Sequence, residues 1–175
     1  MRTSKWNGAA GIVASDHVRL RPAGPSDSDG ITAVFLASRG ATMSYLPKLH
    51  SDQETQAWIE AVVLRECTVW VAETADPAEI VGFAALQGSV LDHLYLRPDV
   101  TRQGIGSMLL EAVRGASPEE LSLHVFQRNE AARAFYEHHG FEAGEFNDGS
   151  RNEESEPDVS YHWHARGADA PAEGA

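Results

Sequence analysis

Apolar residues recur along the chain with two different periods, and the switch between them divides it into strands and helices. Val18 and Leu20 alternate with Arg19 and Arg21, which predicts a short strand ending at Pro22. Ile31, Val34, Phe35 and Ser38 then fall at helical spacing. A second helix is predicted from Ser51-Asp52-Gln53-Glu54, where Ser51 can cap and Glu54 can complete a capping box. Thr55, Trp58, Ile59, Val62 and Val63 line one face of that helix. Residues 68–73 and 80–86 read as neighbouring strands with a turn near Asp76-Pro77. Residues 90–96 form another strand, stopped by Pro98, and Ile105, Met108, Leu109, Ala112 and Val113 keep the helical interval. Leu121, Leu123 and Val125 alternate as a strand. Residues 129–139 predict a helix with Ala132, Phe135, Tyr136 and His139 on one side, closed by Gly140. Two last strands, 141–146 and 159–163, are joined by a polar loop. This order predicts a mixed sheet with helices on its faces, a single α/β (α+β) domain. Residues 1–15 and 165–175 have no periodic apolar pattern and are expected to be flexible tails, leaving 16–164 as the domain.

Composition narrows the function. A chain of 175 residues suits one domain with a sizeable core. The net charge of -12 argues against nucleic-acid binding, which needs a basic face; it could attract a cationic amine at low salt, and a solvated acidic surface is the ordinary reading. No apolar run is long enough to span a membrane, and the first 15 residues lack the apolar stretch of a secretory signal. The single cysteine, Cys67, excludes an internal disulfide framework and a multi-cysteine zinc site. A cytoplasmic location is the resulting expectation. His162 and His164 share a strand face, but no further ligand set accompanies them, so no metal is expected.

The stretch Pro98 to Ser107 lies between a strand and an amphipathic helix. Its glycines, Gly104 and Gly106, let the backbone approach a ligand closely. The first turn of the helix, with Ile105, Gly106 and Ser107, presents unpaired N–H groups and partial positive charge. Together they suit a phosphate or pyrophosphate, with Arg102 and Gln103 able to add side-chain contacts; a tight strand-to-helix turn without ligand is the alternative. A P-loop would need a lysine that is not there, and a dinucleotide fingerprint would need Gly or Ala where Leu109 stands.

Thr101-Arg102-Gln103-Gly104-Ile105-Gly106 resembles the Gln/Arg-x-x-Gly-x-Gly/Ala turn of the GCN5-related N-acetyltransferases (GNAT), with Thr101 in place of the usual Gln or Arg. Asn129-Glu130-Ala131-Ala132-Arg133-Ala134-Phe135-Tyr136, continuing to Gly140-Phe141, matches that family's Asn-x-x-Ala-x-x-Phe-Tyr-x-x-x-Gly-Phe motif at every specified position. The resemblance covers roughly residues 16 to 164, and Asp148 to Asp158 looks like the DG…NEE…PD loop of one uncharacterised branch. It implies a GNAT fold, a mixed, mostly antiparallel, twisted sheet of about six or seven strands with about four helices. It also implies acetyl-CoA as co-substrate and direct attack by an amine in a ternary complex.

On this resemblance, backbone amides of the Gly104 turn hold the CoA pyrophosphate, and Asn129 hydrogen-bonds the cofactor, although Asn also suits the helix N-cap. Amides near Leu94 and Leu96 hold the thioester carbonyl and the pantetheine arm. Tyr136 is the expected general acid, since a phenol is neutral at pH 7 and can protonate a thiolate; a core aromatic with its hydroxyl satisfied is the alternative. Asp92 is the first candidate for a general base and His93 the second; an ordinary ion pair, or a water chain to bulk, are the alternatives. Substrate selection falls to the first two helices and the late loop, with Tyr45 and His50 between the helices and Glu153, Glu154 and Asp158 able to hold a cationic group; a solvated charge cluster is the alternative for these carboxylates. The expected acceptor is a primary amine of a small molecule or aminoacyl substrate. A protein N-terminal or lysine acetyltransferase is the second reading, and a non-catalytic acyl-CoA sensor the third. Final strands in the family often pair between subunits, which allows a homodimer.

Overall fold

A computed structural model describes residues 13–15 and 17–166, and the backbone alone for the first three. Eight strands form one sheet in the order β1-β2-β3-β4-β5-β6-β8-β7. They are β1 (Val13–Ser15), β2 (Val18–Pro22), β3 (Thr68–Thr74), β4 (Ile80–Gln87), β5 (Val90–Leu96), β6 (Glu120–Phe126), β7 (Glu142–Asn147) and β8 (Asp158–His164). Seven match the sequence pattern, and β1 is a short edge strand within the segment expected to be a tail. The rest of both expected tails falls outside the described residues, apart from Ala165 and Arg166, which follow β8.

Helix α1 (Ser28–Thr42) follows β2, and α2 (Asp52–Trp58) runs on through a π-helical turn, Ile59–Val63, into α3 (Leu64–Glu66). The capping box forms as its residues predict: the Ser51 N–H donates to Glu54 Oε2 at 2.7 Å, and the Glu54 N–H donates to Ser51 Oγ at 3.1 Å. Ile31, Val34, Ile59 and Val63 pack with Val71 and Phe83 to cover one face of the sheet. On the other face α4 (Ile105–Ala116) buries Leu109, Leu110 and Val113 against β2 to β5, and α5 (Glu130–His138) adds Tyr136. Alternation along β6 sends Leu121, Leu123 and Val125 into this second core.

All neighbouring strands run antiparallel except β5 and β6, which are parallel and share one registered pair, Val90 with Ser122. Beyond that pair β5 loses its β6 neighbour, so the sheet opens. A bulge sits at the same place: Leu86 lies opposite Leu91 and Ala85 opposite His93, leaving Asp92 without a partner.

Candidate functional site

The opening determines which backbone groups of β5 remain free. The Arg97 N–H donates to the Val81 carbonyl at 2.8 Å, and Leu96 lies opposite Gly82. Antiparallel pairing bonds alternate residues, so Tyr95 and His93 also turn their backbone toward β4. Leu94 and Leu96 turn theirs the other way, into the gap that β6 leaves. The two residues expected to hold the thioester and the pantetheine arm therefore line the open edge.

The turn at the end of β5 faces the same side of the sheet as α4. Arg102 and Gly104 both adopt positive φ, 63° and 84°, and Gly104 caps α4. A Cβ built on Gly104 meets no atom within 4 Å, so the space beside it is open. The first intrahelical bond runs from the Met108 N–H to the Gly104 carbonyl at 3.1 Å, so the N–H groups of Ile105, Gly106 and Ser107 precede the helical ladder. Arg102 and Gln103 are exposed around this turn. Such a cradle suits the phosphates of an anionic ligand. Gly106 serves packing, since a Cβ there would lie 3.3 Å from the Phe135 ring. The Ser107 hydroxyl lies 3.0 Å from His139 Nε2, which ties α4 to α5.

Asn129 Oδ1 accepts from the Ala132 N–H at 3.2 Å and so caps α5, leaving its NH₂ group to donate elsewhere. Two turns on, Tyr136 is buried between Phe135 and Phe141, with ring centroids 5.1 and 5.4 Å away. Burial, helped by nearby Tyr95, raises its pKa well above that of a free phenol, so the hydroxyl keeps its proton at neutral pH.

The bulge separates the two candidate bases. Asp92 is exposed and accepts a long contact, 3.9 Å, from the Cys67 thiol. Burial, reinforced by Asp92, pushes that thiol up to about 11, so Cys67 is not a nucleophile at neutral pH. His93 points instead toward α1 and α2, among Phe35, Trp58, Phe83 and Tyr95. Its Nδ1 is buried without a hydrogen-bond partner. Burial first, and the charge of Arg39 second, lower its pKa to about 4, so the imidazole is neutral at pH 7.

His93 is part of the wall of a cavity of about 840 Å³ between α1, the α1–α2 connection, α2 and the β7–β8 loop. His50, Glu153 and Glu154 also line it, as their positions in the sequence suggested. Tyr45 does not; its ring lies under Arg128 at 4.1 Å, and its hydroxyl is buried without a partner. Glu154 pairs with Arg39 at 2.7 Å, and Glu153 Oε2 lies 3.1 Å from His50 Nε2. Arg39, Phe35 and Trp58 also face the cavity, although the sequence marked the two aromatics only as core positions. Arg39 lies one helical turn after Phe35 and over its ring at 5.2 Å, a spacing that could have flagged it.

The DG…NEE…PD segment fastens itself. Gly149 has φ 84°, and a Cβ there would lie 2.5 Å from Glu156 backbone. Asn152 Nδ2 donates to the Glu156 carbonyl and to Asp158 Oδ2, both at 2.9 Å, and its Oδ1 accepts from the Glu156 N–H at 3.2 Å. Asn147 Nδ2 donates to the other oxygen of Asp158, which is buried. Gly149, Asn152 and Asp158 thus shape a loop that presents Glu153 and Glu154 to the cavity.

Residues 65–143 match the model of the acetyltransferase (GNAT) domain. The chain is 34% identical over 127 residues to the peptidyl-lysine N-acetyltransferase YjaB of Salmonella typhimurium, covering 71% of this chain and 83% of that protein. It is 31% identical to the Escherichia coli protein of the same name, covering 71% and 82%. The solution structure of apo-form YjaB from Escherichia coli superposes with a TM-score of 0.70 at 26% identity, covering 85% of this chain and 99% of that one. With these likenesses added to its open sheet and glycine turn, the chain belongs to the GNAT acetyltransferases and is an acyltransferase.

Proposed function

We propose that this protein is an N-acetyltransferase that moves an acetyl group from acetyl-CoA to a primary amine of a small molecule or aminoacyl substrate. One observation carries the reading: β5 serves two sites at once. His93 faces the cavity, while the backbone of its neighbour Leu94 faces the sheet opening that leads to the Gly104 turn. An amine in the cavity and a thioester in the opening would meet across this strand. The cradle fits a CoA pyrophosphate through the N–H groups of Ile105, Gly106 and Ser107, with Arg102, Gln103 and the Asn129 amide at its rim.

The acceptor enters mostly as an ammonium ion, with a free pKa of ~10.4, and must lose a proton before it attacks. His93 lies at the cavity wall with its Nδ1 unpartnered, so on position it takes precedence over Asp92 as the group that receives this proton. The amides of Leu94 and Leu96, turned into the sheet opening, would stabilise the charge that develops on the carbonyl oxygen. Tyr136 retains a proton to give to the departing sulfur.

A second reading, transfer to a lysine side chain of a protein, is favoured by the name that both YjaB relatives carry. Lysine offers the same primary amine on a four-carbon stem. Release of CoA thiol from acetyl-CoA, followed with a panel of small amines and lysyl peptides, tests the proposal. Thiol release that depends on the amine supports it. Saturable cofactor binding with no transfer to any amine would replace it with a sensor role.

A further inference from the structure

We propose that the α1–α2 cavity selects an amine whose remaining body is apolar and uncharged, of aromatic or branched aliphatic kind, in preference to amino acids and polyamines. The proposal rests on the acyl-transfer reading above and names the acceptor's class.

The first observation is exposed apolar surface. Four large hydrophobic side chains are left open among the described residues: Leu49 at 46%, Trp58 at 36%, Val90 at 37% and Phe146 at 54%. Two of them, Leu49 and Trp58, line this one cavity, joined by Phe35, Leu36, Met43 and Leu46. Scattered apolar exposure needs no explanation, but exposure gathered in a concave site does. The cavity of about 840 Å³ is within the range of sites that enclose small ligands.

The second observation is that each charged side chain of the wall already has a polar partner. Arg39 pairs with Glu154 at 2.7 Å, Lys48 with Asp52 at 2.7 Å, and His50 with Glu153 at 3.1 Å. The remaining carboxylate, Glu54, accepts from the Ser51 N–H at 2.7 Å. A substrate carboxylate would have to take Arg39 or Lys48 from its partner. A second ammonium would have to take a carboxylate from the hydrogen-bond partner it already has. An apolar body displaces water from Leu49 and Trp58 and breaks none of these pairs.

In the transfer itself, the nitrogen lone pair forms a C–N bond with the acetyl carbonyl carbon and the C–S bond breaks. Sulfur leaves with the electron pair and gains one proton, and nitrogen loses one. The products are an amide and a free thiol, with no oxidation or reduction.

The test uses the full chain with acetyl-CoA and follows thiol release with 2-phenylethylamine, phenylalanine, 1,4-diaminobutane and a lysyl peptide. We expect kcat/KM for 2-phenylethylamine to exceed each of the others by at least about ten-fold, the scale of discrimination an apolar pocket provides. Leu49 is exposed on a loop, so Leu49→Glu leaves the core intact. It should cut the preference for 2-phenylethylamine over 1,4-diaminobutane by about ten-fold while acetyl-CoA affinity holds. Higher kcat/KM for phenylalanine, the diamine or the peptide would overturn the proposal while leaving acyl transfer standing, as would an unchanged preference in Leu49→Glu. Failure to bind acetyl-CoA in calorimetry would overturn both.

Discussion

Gly149→Ala isolates the loop that carries Glu153 and Glu154. The residue has φ 84°, where an L side chain costs about 1–2 kcal/mol. The added methyl would also lie 2.5 Å from the Glu156 carbonyl carbon and 2.7 Å from its nitrogen and oxygen. These atoms are backbone and are held by Asn152, so relief requires the 150–156 segment to shift. Forced contacts of this kind cost about 1–3 kcal/mol, giving about 2–5 kcal/mol in all. The shift moves Glu154 away from Arg39 and Glu153 away from His50. Urea denaturation should show the loss of stability, and steady-state kinetics should show a raised KM for the amine. Acetyl-CoA affinity should hold, because the Gly104 turn is built on a different part of the sheet. Wild-type stability would refute the packing argument. A loss of acetyl-CoA affinity equal to the loss for the amine would refute the separation of the two sites.

Tyr136→Phe removes the proton donor and keeps the ring. Turnover should fall by about 10²–10⁴-fold, with acetyl-CoA affinity near wild type in calorimetry; unchanged turnover would remove the acid role from Tyr136. His93 links stability to pH. Its folded pKa of about 4 lies below the ordinary histidine value of 6.5, so the unfolded chain takes up the proton first as pH falls. Stability should therefore decline between pH 6.5 and 4, by up to about 3 kcal/mol from this group alone. Urea denaturation at several pH values should show a weaker decline in His93→Phe; an identical pH slope would mean that His93 is not held neutral by the fold.

Local patterns made most of the framework legible. Alternation in β6 and the 3.6-residue interval in α4 and α5 each follow from one buried face. The Ser51–Glu54 box is local chemistry and forms as its spacing requires. The bulge at Asp92 is different, because it depends on how β4 and β5 align, and neither strand encodes that alone. A plain period of two set Asp92 and His93 on opposite sides without saying which side holds the cavity. Trp58 shows a second limit: apolar spacing on α2 is the same whether a side chain meets the core or an apolar cavity. The structure buries Thr55, Ile59 and Val63, half-buries Val62, and leaves Trp58 open. The loop from Asp148 to Asp158 read correctly as polar, but its shape comes from Asn152 and Gln127, whose contacts are partly non-local.

The central claim is that acetyl-CoA binds at the Gly104 turn, and calorimetric titration of the purified protein tests it most directly. Gly104→Glu is the disrupting variant: its side chain strains the turn at φ 84°, enters space where the folded chain has no atom within 4 Å of the Cβ, and adds negative charge beside the phosphates. The account predicts saturable binding to the wild type and much weaker binding to Gly104→Glu. No binding to the wild type at high micromolar acetyl-CoA, or equal affinity in the variant, would contradict it.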